Sequence, residues 1–312
     1  MAKSAGNKVR KKIANLIGSL IPHRRTREYV HDLIYHTDIK GRWYRFWTGR
    51  KMWADEKNLK QSGYKFPYQL AVCAIMKNEG PYLREWIEHH RLVGVEKFYL
   101  YNNDSTDDTV EILKPYVKSG LVELVDFPGD KKQIPAYNDC VSRHKMDTKW
   151  LAFIDLDEFI IPDRCGNTIM DFLDKQPGSV TQVWIRWVMY GSNGHKKKPQ
   201  GLVSESYTHR ARKQTWHYKS IVNPRVVFST SCHQQVVAKR TKLIPTKEIR
   251  INHYFCKSWE EYSTRAARGS AYGGNAAGAK RYTRAFFEAR DKNEVEDRIM
   301  DKYLPELRKR LK

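Results

Sequence analysis

The spacing of apolar and polar positions divides the chain into two kinds of sequence. From Leu70 onward, short apolar runs alternate with amphipathic stretches. "QLAVCAIM" (69–76) is apolar throughout, as a buried strand is. "KNEGPYLREWIEHHRLVG" (77–94) reads as a loop entering a helix, with Leu83, Trp86, Ile87 and Leu92 near helical spacing and Gly94 as the stop. "KFYLYNN" (97–103) predicts a second strand. "DSTDDTVEILKPYVKSG" (104–120) predicts a helix capped by Asp104 and Ser105 and ended at Gly120. A third strand, "LVELVDF" (121–127), a helix, "IPAYNDCVSRHKM" (134–146), and a fourth strand, "WLAFIDL" (150–156), complete the series. Such alternation predicts parallel β/α units that bind ligands beyond the carboxyl ends of the strands.

The rhythm then changes. "SVTQVWIRWVMYG" (179–191) and "YKSIVNPRVVF" (218–228) predict longer strands, and "SNGHKKKPQG" (192–201) is a polar, basic loop. The tail from Ser258 to Lys312 reads as mostly helical. Its small-residue stretch "GSAYGGNAAGAK" (269–280) has the composition of a mobile loop or hinge. Before Leu70, residues 3–21 pattern as a basic amphipathic helix. Val9, Ile13, Leu16, Ile17 and Leu20 recur at helical spacing beside Lys8, Arg10, Lys11 and Lys12. Such a helix can lie on an anionic membrane surface or dock on its own domain. The aromatic, basic segment 22–65 ("GRWYRFWTGRKMW" within it) is expected to pack against the main domain.

Composition sharpens this picture at three points. The chain has 312 residues, 40% hydrophobic, which is enough for a sizeable core. Its net charge of +22 is uneven. Residues 1–65 carry 16 Lys/Arg against 5 Asp/Glu, residues 66–194 carry 14 against 19, and residues 195–250 carry 13 against 2. The basic flanks suit an anionic partner, whether membrane surface, nucleotide, lipid-linked acceptor or nucleic acid. Five scattered cysteines with no CxxC pair suit a reduced compartment. No apolar run reaches the ~18–20 residues of a membrane span, and the N-terminus reads as no signal peptide. The expectation is a cytoplasmic protein, peripheral at the inner membrane if the first helix binds lipid.

The candidate chemistry centres on "WLAFIDLDEFIIP" (150–162), where three carboxylates interrupt the most apolar stretch. If the strand runs through them, Asp155 and Asp157 point to one side and Leu156 to the other. Adjacent carboxylates repel unless a cation or a proton lies between them. A hard divalent ion that keeps phosphate oxygens in its shell is a natural partner, which suggests a metal–diphosphate site. The alternative is a strand end whose carboxylates cap the next turn.

Taken together, several segments resemble glycosyltransferase family 92, of the GT-A fold. They are "VCAIMKNEGPYLREWIEHHRLVGVEKFYLYNNDSTDDT" (72–109), "QIPAYNDC" (133–140), "WLAFIDLDEFI" (150–160), "GSNGHKKKPQGLVSESYTHR" (191–210), "KSIVNPRVV" (219–227) and "INHYFCKSWEEY" (251–262). "NNDSTDD" (102–108) is similar to the "DDGSTD" element of family 2 enzymes, with Asn102 and Asn103 in place of the leading acids.

The resemblance implies an α/β, Rossmann-like nucleotide-diphospho-sugar transferase: a mixed sheet with flanking helices. It divides the chain into an N-terminal extension (1–65), a catalytic domain (66–257) and a C-terminal helical segment (258–312). Within the catalytic domain, 66–162 would bind nucleotide and 163–257 the acceptor. By the same resemblance, Asn78 and Glu79 line the nucleotide pocket, unless they only cap a helix. Asn103 sits near the base, and Asn138 and Asp139 contact base, ribose or donor. Asp155 serves the ribose or the metal, Asp157 binds the metal directly, and His253 completes the site unless it is a core histidine. Lys219 and Arg225 are candidate diphosphate clamps. The implied reaction is inverting transfer with Mn²⁺ or Mg²⁺. The base is Glu205 or Glu158; Glu158 would point away from Asp157 on a regular strand, which favours Glu205. The donor implied is a UDP-sugar, UDP-galactose first. The acceptor is a glycan or lipid-linked glycan, as in lipopolysaccharide or capsule assembly.

Two other classes compete. The charge and the aromatic, basic segment fit a nucleic-acid-binding protein, but the charge avoids the β/α half. A sugar nucleotidyltransferase also uses paired carboxylates and metal, but "CAIMKNEGP" lacks its Gly-rich start.

Overall fold

The computed structural model describes residues 39–233, 235–237, 241–243, 248–268 and 283–312. The chain falls into two compact units, Met1–Ala54 and Asp55–Lys312. Helix α1 (Ile39–Gln61) begins in the first and ends in the second. The helix expected over 3–21 and the stretch 269–280 lie outside the described residues. Among the described residues, no helix is long and apolar enough to cross a membrane.

The second unit opens with the expected alternation. In order come β1 (Tyr68–Met76), α2 (Gly80–Leu92), β2 (Lys97–Asn102), α3 (Thr109–Lys118), β3 (Val122–Asp126), α4 (Gln133–His144) and β4 (Thr148–Phe153). These strands are parallel, in the order β3-β2-β1-β4. Alternate residues of β1 serve two cores. Leu70, Val72, Ala74 and Met76 pack with Leu83, Trp86 and Ile87 of α2. Ala71, Cys73 and Ile75 pack with Ala136, Tyr137 and Cys140 of α4. Burial on both faces is why the sequence reads as a continuous apolar run. Gly94 and Gly120 end their helices with positive φ, as expected.

The chain then forms β5 (Glu158–Pro162), α5 (Ile169–Leu173), β6 (Gln182–Met189), α6 (Val203–Ser206), β7 (His209–Arg210) and β8 (Tyr218–Val222). After them come β9 (Val227–Ser229), β10 (Val236–Val237), β11 (Thr241–Leu243), β12 (Ile249–His253), α7 (Trp259–Arg268), α8 (Arg284–Arg290), β13 (Val295–Glu296) and α9 (Leu304–Leu311). The sheet continues from β4 as β8-β6-β12-β5, with β11 also pairing β6. It is a large, curled, mixed sheet with flanking helices, as the resemblance implied. The curl follows from chain length. Four inter-strand steps from β4 to β5 span about 19 Å on a flat sheet. The chain makes that passage in the few residues from Phe153 to Glu158, a reach of about 17 Å at full extension.

Three local expectations are corrected. Strand β4 stops at Phe153, and Asp155–Asp157 form a turn, so strand alternation does not orient the two aspartates. Helix α3 starts at Thr109, and Asp104 and Ser105 do not cap it. Asp104 accepts a hydrogen bond from the Gly129 amide, and Ser105 Oγ accepts one from the Asn78 amide. The loops at neighbouring strand ends take both side chains. The strand expected over 218–228 is broken by a 3₁₀ turn at Pro224–Val226, where the Asn223 side chain accepts from the Arg225 amide. Past the break, β9 pairs with β10 and leaves the main sheet.

Candidate active site

Strand directions decide which side chains meet. β4 is antiparallel to β8, β8 to β6, and β6 is parallel to β12. Two reversals restore the direction, so β1, β4, β6 and β12 all end at the same edge. β8 begins there, and the register Phe153↔Ser220 sets Lys219 beside the residues leaving β4. β5 also begins there, with Glu158 directly opposite His253. The carboxyl-end edge thus gathers the 155–158 turn, Lys219 and His253 from three parts of the sequence.

Asp157, Glu158 and His253 offer ligand atoms that all lie within 4.8 Å of one another. His253 Nε2 is 3.5 Å from Asp157 Oδ1, and Arg265 of α7 is 3.1 Å from Asp157 Oδ2. Burial works against the Asp157 charge, but His253 and Arg265 outweigh it and hold the carboxyl well below its usual range. Glu158 is fully buried, and that burial pushes its carboxyl well above the usual range. Lys219 opposes this shift, while Asp155 and Asp157 add to it. The ring of Trp187 meets that of His253 edge to face at 4.4 Å and holds the imidazole in place.

Asp155 turns to a different partner set. Its Oδ2 accepts from Lys219 at 2.8 Å, and its Oδ1 accepts from Gln133 and Tyr137 of α4. Lys219 is buried and also lies 3.8 Å from Glu158 Oε1. Burial disfavours its charge, but Asp155 and Glu158 more than compensate and raise its pKa. The structure therefore joins Asp157 and His253 with Glu158, and sets Asp155 on the Lys219 side.

The oxygen, oxygen and nitrogen donors of this cluster suit Mn²⁺ or Mg²⁺. Glu158 Oε1 and His253 Nδ1 are buried without hydrogen-bond partners, as atoms awaiting a ligand would be.

The sequence profile of glycosyltransferase family 92 matches residues 68–304, which include every residue of this site. The chain belongs to glycosyltransferase family 92. A family 92 protein of Ricinus communis is 27% identical over 212 residues, covering 65% of this chain and 38% of the relative. Galactan β-1,4-galactosyltransferase GALS2 of Arabidopsis thaliana is 27% identical over 217 residues, covering 64% of this chain and 42% of the relative. The chain thus spans about two fifths of the length of these relatives. Among solved structures, S. aureus TarS 1–349 aligns with a TM-score of 0.41 and 15% identity, covering 71% of each chain.

The other expected residues of this family 92 chain are placed as follows. Asn78 follows β1 with a positive φ of 53° and pairs its side chain with Thr106. Glu79 is buried at the entry to α2, its amide donating to Thr109 Oγ1. Asn78 lines a cleft of about 370 Å³ with Pro81, Tyr82, Asp107, Glu261, Thr264 and Arg265. Asn103 donates to the carbonyls of Phe127 and Gly129 and so pins the loop after β3. Asn138 accepts from Thr230, and Asp139 accepts from Tyr101. Arg225 is buried against Glu56 at 2.6 Å and donates to the carbonyls of Lys145, Thr148 and Lys149. Those bonds tie Glu56, in the part of α1 that belongs to the second unit, to the base of β4 and place Arg225 outside the cluster. Glu205 caps α6 through the Leu202 amide and pairs with Arg308 of α9 at 2.6 Å.

Sequence reading missed Arg265, Lys257 and Tyr82. One signal was available: in "EEYSTR", Glu261 and Arg265 are four apart on one helical face, directly after the His253 segment.

Proposed function

We propose that this family 92 chain is a metal-dependent, inverting glycosyltransferase that moves a sugar from a UDP-sugar, UDP-galactose first, to a glycan or lipid-linked acceptor. The observation that carries this reading is the convergence of Asp157, Glu158 and His253 at the sheet's carboxyl edge. The galactosyltransferase name of the GALS2 relative supports the choice of sugar. Lipopolysaccharide or capsule glycans at the inner leaflet are the acceptors we put first, by analogy; the basic balance itself suits any anionic partner.

A divalent cation bound at the cluster would neutralise charge on the departing diphosphate. Asp157 is already held ionised for that ligand. Lys219, Gln133 and Tyr137 fix the Asp155 carboxylate in place beside the cluster. The base must take a proton from the acceptor hydroxyl. We assign it to Glu205 over Glu158, because Glu158 is fully buried beneath Lys219 and Asp155. Glu205 lies on the acceptor half, on a helix that borders a pocket lined by Tyr82, Gly201, Val203 and Tyr207.

The test is a panel of UDP-sugars with β-galactan and lipid-linked oligosaccharide acceptors, with Mn²⁺ or with EDTA, scored by UDP release and product mass. The expected result is Mn²⁺-dependent transfer, fastest with UDP-galactose. Absence of transfer with every UDP-sugar, or equal turnover in EDTA, overturns the proposal.

A further inference from the structure

Asp157 is the residue best placed to bind a cation, yet a guanidinium already sits on it. Arg265 Nη1 is 3.1 Å from Asp157 Oδ2 and also donates to the Phe255 carbonyl. Arg265 additionally lines the cleft that holds Asn78, Tyr82 and Asp107. It therefore forms the wall between the carboxylate cluster and that cleft. The cleft volume of about 370 Å³ is in the range of small-ligand sites.

A second cation stands beside it. Lys257 is 1% exposed, and its Nζ has no hydrogen-bond partner. The ammonium lies 3.1 Å from the ring centroid of Tyr82. A buried ammonium without hydrogen bonds is costly, and such groups mark sites that await an anion. Burial, with Arg265 adding to it, lowers its pKa to about 8, against the pull of Glu79, Asp157 and Glu261. Meanwhile the two cations first expected to grip the diphosphate are committed elsewhere, Lys219 to Asp155 and Arg225 to Glu56.

We infer that Arg265 is a displaceable counter-ion, which neutralises Asp157 in the free enzyme and passes to the donor's diphosphate, beside Lys257, when the divalent cation takes its place on Asp157. This rests on the donor-site reading above. The exchange keeps charges matched, since the carboxylate trades a guanidinium for a metal ion while the guanidinium gains phosphate oxygens. A planar guanidinium suits both partners, because carboxylate and phosphate accept the same paired geometry. It also makes metal and nucleotide binding mutually reinforcing, since each removes the other's competitor.

The experiment is calorimetric titration of the full chain with Mn²⁺ alone, with UDP alone, and with UDP at saturating Mn²⁺. Wild type is compared with Arg265→Gln and Arg265→Lys, all first checked for native circular dichroism. Arg265→Gln is expected to bind Mn²⁺ alone about tenfold tighter and Mn²⁺–UDP about tenfold weaker. Arg265→Lys, which keeps the charge, is expected to stay near wild type for Mn²⁺ alone and to weaken Mn²⁺–UDP. Unchanged or weaker Mn²⁺ binding in Arg265→Gln overturns the exchange and leaves Arg265 a structural partner of Asp157. If Arg265→Gln does not fold, wild-type UDP affinity in Arg265→Lys overturns it. Wild type that binds neither Mn²⁺ nor UDP overturns the donor-site reading itself.

Discussion

The two ends of the main sheet are built by different rules. In β3-β2-β1-β4, each strand is joined to the next in sequence by a helix, and both faces are buried. In β8-β6-β12-β5, neighbours come from distant parts of the chain, as where Glu158 meets His253. The first end supplies loops and a cleft floor, including Asn78 and Asp107. The second supplies Lys219 and His253, and at the seam between the two lies the 155–158 turn. Chemistry gathers where local order gives way to long-range pairing. The regular half makes a rigid edge, and the irregular half brings side chains to it.

Substitutions on either side of the seam separate these contributions. Asp157→Asn should have the largest effect. We expect transfer to fall on the order of 10³-fold, with native circular dichroism and some loss of melting temperature because Arg265 and His253 lose their counter-charge. Near-wild-type turnover in this variant would return the turn to a structural role.

Arg225→Ala should cost about 3–5 kcal/mol in urea unfolding, since it leaves Glu56 buried without its partner. UDP affinity measured on the folded fraction should hold. A loss of UDP binding without a loss of stability would restore Arg225 as a diphosphate clamp.

How far the sequence discloses each half follows from the same contrast. The parallel half was legible because two-sided burial writes continuous apolar runs, and Gly94 and Gly120 mark helix ends. The aspartates of the 155–158 turn stood out against that background. What the sequence does not display is register. That Glu158 faces His253, and that Asp155 turns to Lys219, depends on pairings between distant strands. Strand alternation therefore misjudged the aspartates, whose turn is imposed by the curl of the sheet. Asp104 and Ser105 look like helix caps locally, but the loops at adjoining strand ends take their hydrogen bonds.

Lys257 gives a smaller and more specific test. Its pKa is lowered from 10.5 to about 8 in the folded chain. Between those values the unfolded chain holds more protons, so stability must rise with pH across this window. The contribution is at most about 3–4 kcal/mol, since each pKa unit is worth about 1.4 kcal/mol. The charges facing the ammonium are Arg265 and Glu261 from α7, Glu79 from the β1–α2 loop and Asp157 from the turn. Lys257→Met should lack the rise between pH 8 and 10.5 in urea midpoints. An identical rise in the variant would place its source elsewhere.

The smallest expected effect is at Glu205. Glu205→Gln should lower kcat on the order of 10²-fold with UDP affinity unchanged. A change in stability alone, with kcat intact, would leave Glu205 as the cap of α6 and partner of Arg308.

The central claim is that the turn at the seam and the strands of the irregular half close on one divalent cation. The most direct measurement is pulsed electron paramagnetic resonance of Mn²⁺ bound to the chain in the presence of UDP, in wild type and His253→Ala. A ¹⁴N coupling from a directly bound imidazole, present in wild type and absent in His253→Ala, is the predicted result. Bound Mn²⁺ with no nitrogen coupling, or with a coupling that survives the substitution, would contradict the account.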